Sequence, residues 1–145
     1  MTERIWLQAS AVAYKGRALL ICGAPGSGKS SLAIELIALG ADLLADDGVW
    51  LSAQDGRLIG EAPEGANELV EARGIGLVPT PAVTSARVEL IIDLDEQETA
   101  RLPDRLTRTL AGVEVRRLRR PTPLIPAALL LALRAGGPAD PAQGI

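Results

Sequence analysis

A short run of residues has the types and the spacing that phosphate binding requires. It fits the pattern G-x-x-x-x-G-K-[ST] at every fixed position, and its members are Gly23, Ala24, Pro25, Gly26, Ser27, Gly28, Lys29 and Ser30. Glycines allow backbone amides to approach phosphate oxygens at dihedral angles that a Cβ atom would obstruct. In this pattern the lysine reaches the β and γ phosphates and the serine hydroxyl contacts Mg²⁺. We therefore predict an ATP site with Mg²⁺, and we include the next residue, Ser31, among the ATP-binding residues.

Such a loop must lie between a strand and a helix, and the sequence predicts both. Residues 17–22 are apolar nearly throughout, as in a strand covered on both faces, and residues 32–39 suit a helix that Gly40 ends. Turn residues predict hairpins at residues 15–16 and 55–56, and apolar runs predict strands at 43–45 and 88–94 and a helix at 127–134. Residues 102–118 show no assignable pattern. The predicted fold class is α/β, a P-loop nucleotide-binding domain with a mixed sheet, flanking helices and a hairpin.

Length and composition limit the other classes of function. A chain of 145 residues is in the usual range of one domain, which we place at residues 1–134, followed by a flexible tail at 135–145. The sequence has no histidine, which excludes histidine-ligated metals and histidine bases. A net charge of −3 and the lack of a long apolar run predict no binding to nucleic acid or membrane. The single cysteine, Cys22, cannot form an internal disulfide, so we predict a reducing, cytoplasmic location.

A magnesium nucleotide needs a carboxylate beside it, and two places along the chain qualify. Asp93 closes the apolar residues 90–92, as the metal-associated aspartate of a Walker B strand does. Asp46 and Asp47 follow the apolar residues 43–45, in the first strand after the predicted helix. Ligands of parallel sheets bind beyond the carboxyl ends of strands, so both places are allowed. The pattern of residues alone leaves this choice open.

Three segments, in order along the chain, resemble the HPr kinase/phosphorylase family, whose catalytic domain phosphorylates a serine of the phosphocarrier protein HPr. The first is the loop at residues 23–30, and the second, residues 36–47, is similar to the family's helix, glycine and LVADD stretch. The third, residues 69–78, resembles the family signature LLEVRGLGII. The resemblance covers about residues 5–95 and is to the short proteobacterial form, so it implies the fold of the family's catalytic domain.

The resemblance implies roles for matching residues. The implied catalytic residues are Asp47, Lys29, Arg73 and Arg105, and the implied Mg²⁺ ligands are Ser30, Glu71 and Asp46. Asp47 has the position of the aspartate that accepts the proton of the seryl hydroxyl, and Arg73 lies in a segment tied to catalysis. The implied partner is HPr or a nitrogen-branch relative of the phosphotransferase system. The implied assembly is a homo-oligomer, a hexamer as in the family.

Two parts of the chain depart from the family: position 8, and residues 119–123, which do not match the family's basic, glycine-containing loop linked to dephosphorylation. Gln8 lies where the family has a histidine, 15 residues before the first glycine of the loop. Glutamine forms hydrogen bonds but does not titrate near neutral pH. We therefore predict kinase activity with weak or absent phosphorylase activity.

Two other functions stay open. One is a catalytically impaired ATP-binding module that acts as a sensor and binds a partner, and the other is a small-molecule kinase, since a phosphate loop does not identify the acceptor. The signature at residues 69–78 argues against the small-molecule kinase. The arginine-rich residues 116–120 are interpreted as a solvated face, with a patch for an acidic partner as the alternative.

Overall fold

The computed structural model describes residues 3–66 and 68–140, which adopt a mixed α/β fold. The helices are α1 (Lys29–Ala38) and α2 (Pro126–Arg134). The strands are β1 (Arg4–Leu7), β2 (Ser10–Tyr14), β3 (Arg17–Cys22), β4 (Asp42–Ala45), β5 (Val49–Gln54), β6 (Arg57–Glu61), β7 (Leu69–Ala72), β8 (Gly76–Pro79), β9 (Ser85–Gln97), β10 (Leu106–Leu110) and β11 (Val113–Arg120). The predicted α/β class is confirmed.

In the described part of the chain, nine strands form one sheet around the long strand β9. Their order is β1-β5-β6-β9-β3-β2-β4, and β11 also pairs with β9 and carries β10. The pairs β3–β9 and β9–β11 are parallel, whereas β2–β3, β2–β4 and β5–β6 are antiparallel. The predicted hairpins at residues 15–16 and 55–56 are the turns between β2 and β3 and between β5 and β6. The mixed sheet is therefore parallel at its centre.

Both faces of the central strands are buried, but by different parts of the molecule. One face packs against both helices, and its main side chains are Val12, Leu19, Ile21, Leu32, Leu36, Ile92, Leu129 and Leu133. The other face is covered by the sheet itself, which curls so that side chains of distant strands meet: Leu20, Leu44, Leu51, Leu58, Ile91 and Val115. The prediction that β3 is covered on both faces is confirmed, although one of the two covering layers is sheet and not helix.

Helix α1 ends where the sequence predicted. Gly40 has φ +117°, a left-handed conformation that favours glycine. Its N–H donates to the carbonyl oxygen of Ile37, and the N–H of Ala41 donates to that of Leu36. These two bonds form a Schellman motif, which satisfies carbonyl groups that the helix end leaves free. The chain then turns directly into β4 on the edge of the sheet.

The segment without a predicted structure forms the β10–β11 hairpin, and its arginines have partners. Arg117 donates to Glu96, Arg119 to Glu98, and Arg116 is only 8% exposed and donates to the carbonyl oxygen of Pro138. The interpretation of residues 116–120 as a solvated face is therefore wrong. Pro138 lies in the predicted tail, of which residues 141–145 are outside the described residues. Among the described helices, neither has the length and apolar character needed to cross a membrane.

Candidate active site

The loop between β3 and α1 forms one wall of a cleft. Gly26 and Gly28 have φ of +83° and +106°, in the region that glycine adopts at least cost. A Cβ atom at Gly23 would lie 2.5 Å from the hydroxyl oxygen of Ser27, so this glycine also permits a close approach within the loop. The Nζ of Lys29 donates to the carbonyl oxygen of Gly23 at 2.6 Å. The lysine thus closes the loop onto itself.

Two side chains from outside the loop also hold it. The N–H of Ala24 donates to Oδ2 of Asp95 at 2.8 Å. The guanidinium of Arg120 donates to the carbonyl oxygen of Ser27 at 3.1 Å. Asp95 lies in β9 and Arg120 ends β11, so the parallel centre of the sheet fixes the loop from both of these strands. Neither residue lies in a sequence motif that predicts this contact.

Asp46 and Asp47 form a second wall. They follow β4, which lies beside β2, and β2 lies beside β3, so the sheet brings the end of β4 close to the start of α1. The hydroxyl of Ser30 donates to Oδ1 of Asp46 at 3.2 Å. The hydroxyl of the fully buried Ser10 donates to the backbone carbonyl oxygen of Asp46 at 2.7 Å. Ser10 thus fixes the backbone of the aspartate pair. No sequence motif around this serine predicts that role.

The third wall comes from a separate two-stranded sheet, β7–β8. Val70 in β7 is buried, and β7 contacts α1. Because side chains alternate along a strand, Glu71 points away from this buried contact, and Arg73 follows at the turn. Glu71 and Arg73 are both exposed and face the loop across the cleft.

The three walls enclose a cleft of about 510 Å³. It is lined by the loop and the start of α1, by the aspartate pair and by the hairpin, and its residues are Gln8, Pro25, Gly26, Gly28, Lys29, Ser30, Ser31, Ile34, Asp46, Asp47, Glu71 and Arg73. Gln8, the residue that departs from the family pattern, is therefore among them. The structure brings together most of the residues predicted to act at the site.

Two candidates from the sequence lie elsewhere. Asp93 is inside β9, 3.9 Å from Arg117, and it accepts the N–H of Asp95 at 3.0 Å. It does not line the cleft, whereas both Asp46 and Asp47 do. Arg105 is exposed just before β10 and is also absent from the cleft lining. Burial and the positive charge of Arg105 lower the pKa of Arg116.

The cleft has positive charges on one side, which favour an anion, and carboxylates on the other side, which can accept a proton. Lys29 and Arg73 supply positive charge, and α1 begins at Lys29 with no acidic residue in its first turn. The amino end of a helix carries free N–H groups and a partial positive charge, which attract anions. The carboxylates of Asp46, Asp47 and Glu71 lie opposite. An anionic group and a hydroxyl that loses its proton can therefore be held side by side.

The oxygen donors of the cleft suit a magnesium ion bound mainly by a ligand. Ser30 and Asp46 already place two oxygens 3.2 Å apart, and Glu71 lines the same cleft. In the described residues no group of three or more acidic, cysteine or histidine side chains is arranged to hold a metal by itself. Magnesium sites with substrate phosphates commonly use only one or two carboxylates and several waters, so the donor set fits this ion.

The chain is similar in sequence to one family of known proteins. The family described as HPr Serine kinase C-terminal domain matches residues 1–128. An HPr kinase/phosphorylase of Caldicellulosiruptor bescii is 32% identical over 134 residues, which cover 87% of this chain and 43% of that protein. An HPr kinase/phosphorylase of a Geobacillus species is 38% identical over 99 residues, covering 63% of this chain and 32% of that protein. The chain thus spans about two fifths of the length of its first relatives.

The fold is also similar to a solved structure. The Hpr(Ser) kinase/phosphatase from Coxiella burnetii superposes with a TM-score of 0.74 at 24% identity, over 90% of this chain and 89% of that one. This likeness shows that the curled sheet with its helices is a known arrangement.

Proposed function

Because this chain belongs to the HPr Serine kinase C-terminal domain family, we propose that it is an ATP-dependent kinase that phosphorylates a serine of an HPr-type phosphocarrier protein. Its main support is the single cleft that unites the glycine loop, the aspartate pair and the Glu71–Arg73 hairpin. The loop has the Walker A pattern at residues 23–30. Gly23, Ala24, Pro25, Gly26, Ser27, Gly28, Lys29, Ser30 and Ser31 would bind the nucleotide.

The proposed reaction is a direct transfer of the γ-phosphoryl group. The seryl oxygen of the acceptor forms a bond to the γ-phosphorus, and the bond from this phosphorus to the bridging oxygen of the β-phosphate breaks, leaving ADP. The hydroxyl proton passes to the carboxylate of Asp47. Lys29 and Arg73 stabilise the negative charge on the phosphoryl oxygens, as cations do in phosphoryl transfer.

Magnesium fits the same proposal. Ser30, Asp46 and Glu71 would hold the ion together with phosphate oxygens. When bound, Mg²⁺ neutralises charge on the phosphates and orients them. The hydrogen bond from Ser30 to Asp46 supports this assignment, because it already directs both oxygens to one place.

The remaining parts of the proposal concern partner, assembly and location. The acceptor is HPr or a nitrogen-branch relative, and residues 1–134 act as one catalytic domain in a cytoplasmic homo-oligomer, a hexamer as in the family. Arg105 is absent from the cleft lining of this chain, so a catalytic role for it would require a rearrangement or a second copy. Phosphorylase activity is weak or absent, because Gln8 replaces the family histidine at the cleft.

The same glutamine favours a second candidate function. If the missing histidine marks lost catalysis, the cleft would bind ATP without transfer, and the chain would act as a sensor that binds a partner protein. Gln8 lies in the cleft itself, so the substitution affects the site directly.

The two functions separate in a transfer assay. Purified protein is incubated with labelled ATP, Mg²⁺ and HPr-type proteins of the same organism, beside the variants Lys29→Ala and Asp47→Asn and an ATP-binding titration. The kinase predicts phosphoserine on the acceptor, loss of transfer in both variants, and ATP binding that Asp47→Asn leaves nearly intact. Tight ATP binding with no transfer to any HPr-type protein would instead support the sensor. Normal transfer by Asp47→Asn would remove Asp47 as the base.

A further inference from the structure

A second cavity adjoins the candidate active site and shares its aspartates. It has a volume of about 660 Å³ and lies between the end of β4, the segment after β6 and residues 82–84. Asp46 and Asp47 line both this cavity and the first cleft. The aspartate pair therefore lies where the two cavities border each other, and Asp47 can be approached from either of them.

The rim of the second cavity carries a tryptophan that is both exposed and held in place. Trp6 is 49% exposed. A Cβ atom at Gly48, directly after Asp47, would lie 1.9 Å from Cζ2 of Trp6, so the ring rests on the glycine backbone. The ring also meets Trp50 edge to face, with centroids 4.9 Å apart. A fixed, exposed indole next to a reactive carboxylate provides a large contact area at small entropic cost, as in the anchors of binding sites.

The charge of the second cavity is opposite in character to that of the loop. Its lining includes the carboxylates of Asp46, Asp47, Glu64 and Glu68, and none of its described lining residues is lysine or arginine. Glu64 and Glu68 are exposed and form no ion pair within the described part of the chain. The first cleft, in contrast, holds Lys29 and Arg73. An anionic nucleotide is thus favoured on the loop side, and a cationic ligand is favoured in the second cavity.

We propose that the second cavity binds the acceptor. Its occupant is a protein segment that presents a hydroxyl group to Asp47, packs an apolar side chain on Trp6, and places a lysine or arginine beside Glu64 and Glu68. This inference rests on the proposed kinase function and names the face from which the acceptor enters. ATP in the first cleft and the acceptor segment in the second cavity would meet at Asp47, which lines both, so the seryl oxygen can reach the γ-phosphate beside the base.

The test uses charge reversal at the two exposed glutamates. In Glu64→Lys/Glu68→Lys, the KM for the HPr-type acceptor should rise about tenfold, while kcat and the Kd for ATP change less than about twofold. Glu35→Lys is the matched control, because Glu35 is an exposed carboxylate on α1 that lines neither cavity. An unchanged acceptor KM in the double variant would overturn the proposal. So would a change in its oligomeric mass, which would assign the cavity to a contact between copies.

A binding measurement separates this inference from the kinase proposal. Trp6 and Trp50 are the two tryptophans of the sequence, so Trp50→Phe leaves Trp6 as the only indole. A peptide of the composition Arg, Leu and Ser should change the emission of Trp6, and the same peptide with Glu in place of Arg should not. Peptide binding that the double reversal abolishes supports the cavity even if no HPr-type protein is phosphorylated. Absence of peptide binding to Trp50→Phe overturns it, whether or not HPr is phosphorylated.

Discussion

The guanidinium of Arg120 donates to the carbonyl oxygen of Ser27, 93 residues earlier in the chain, at 3.1 Å. Ser27 lies within the glycine loop, and the hydroxyl of the same residue is buried without a hydrogen-bond partner among the described residues. Arg120 ends β11, the strand parallel to β9 at the centre of the sheet. The loop is therefore tied to the rigid part of the fold through an arginine that contributes no atom to the cleft lining.

Removal of this arginine should weaken ATP binding. In Arg120→Ala the carbonyl group of Ser27 loses a charged donor, a bond with a net value of about 1.5–3 kcal/mol. Both the free protein and its ATP complex lose this hydrogen bond, so only part of the lost free energy changes the affinity. We therefore expect the Kd for ATP to rise about five- to tenfold. Isothermal titration with Mg-ATP measures the change.

Arg57→Ala is the control for this prediction, because Arg57 is an exposed arginine at the β5–β6 turn and does not line the cleft. It should leave the Kd unchanged. Arg120→Lys should restore part of the affinity, since an ammonium group can also donate to one carbonyl oxygen. Equal affinity of Arg120→Ala and the native chain would show that the loop keeps its conformation without this contact.

Local structure and the cleft were predictable to different degrees. Gly40, Asp55 and Gly56 favour the left-handed backbone conformations that they adopt. The sequence was therefore enough to predict the end of α1 and the β5–β6 turn. The choice between Asp46 and Asp93 did not follow, because both aspartates come after apolar runs of residues, and which of them lines the cleft depends on the three-dimensional arrangement of the strands. The family resemblance supplied that choice.

The β10–β11 hairpin shows why other parts were not predictable. Its second strand carries a run of arginines, which by itself indicates an exposed segment. In the structure Arg117 and Arg119 pair with Glu96 and Glu98 near the end of β9, so neighbouring strands neutralise each other. This pairing joins residues that are about twenty positions apart, so the sequence pattern of neither segment predicts it by itself. The same holds for Ser10, whose role depends on a carbonyl group in another strand.

Gly48 should be intolerant of any side chain because of Trp6. Gly48→Ala places a Cβ atom 1.9 Å from the indole, so the ring must move away from the aspartate pair. We expect the free energy of unfolding to fall by about 1–3 kcal/mol and the tryptophan emission to change. Urea unfolding followed by fluorescence measures both.

Gly60→Ala is the matched control for Gly48, since the nearest side-chain atoms there are 3.3 to 3.5 Å from the new Cβ and need to move little. The double variant Gly48→Ala/Trp6→Ala should be no less stable than Trp6→Ala alone, because the clash is then gone. If Gly48→Ala left both the emission and the stability of the native chain unchanged, the ring would not rest on this glycine.

The stability of the protein should decrease in alkaline solution because of Cys22. Burial raises the pKa of the Cys22 thiol above its ordinary value, and the guanidinium of Arg108, 3.8 Å from the sulfur, opposes part of this shift. The folded state therefore keeps the thiol proton to higher pH than the unfolded state, whose thiol pKa is about 8.5. The free energy of unfolding should be unaffected by this group below that pH and should fall as pH rises through the folded pKa.

Urea unfolding of the native chain and of Cys22→Ala between about pH 7 and pH 10 tests this. All other side chains are the same in both proteins, so the difference between the two pH profiles reports on the thiol. The difference should decline from about pH 8.5 upward. Parallel profiles would mean that the thiol has the same pKa in the folded and unfolded chains. The buried thiol should also react slowly with iodoacetamide until urea unfolds the protein.

Position 8 should determine how the reaction depends on pH and on direction. The sequence contains no histidine, so no side chain has an ordinary pKa between about 5 and 8. Transfer to an HPr-type acceptor by the native chain should therefore vary little between about pH 6 and pH 8. Gln8 lines the cleft, so Gln8→His places a group there that gains and loses a proton in this range.

We expect Gln8→His to give the transfer rate an inflection near about pH 6.5 and to increase phosphate-dependent dephosphorylation of phospho-HPr by about tenfold or more. Gln8→Asn is the control, since asparagine retains the amide but cannot titrate. It should keep the flat profile and the low reverse rate. This increase is expected because the native cleft has no side chain at position 8 that titrates near neutral pH, and the histidine supplies one. Native protein that removes phosphate from phospho-HPr as fast as it adds it would show that the glutamine does not limit the reverse reaction.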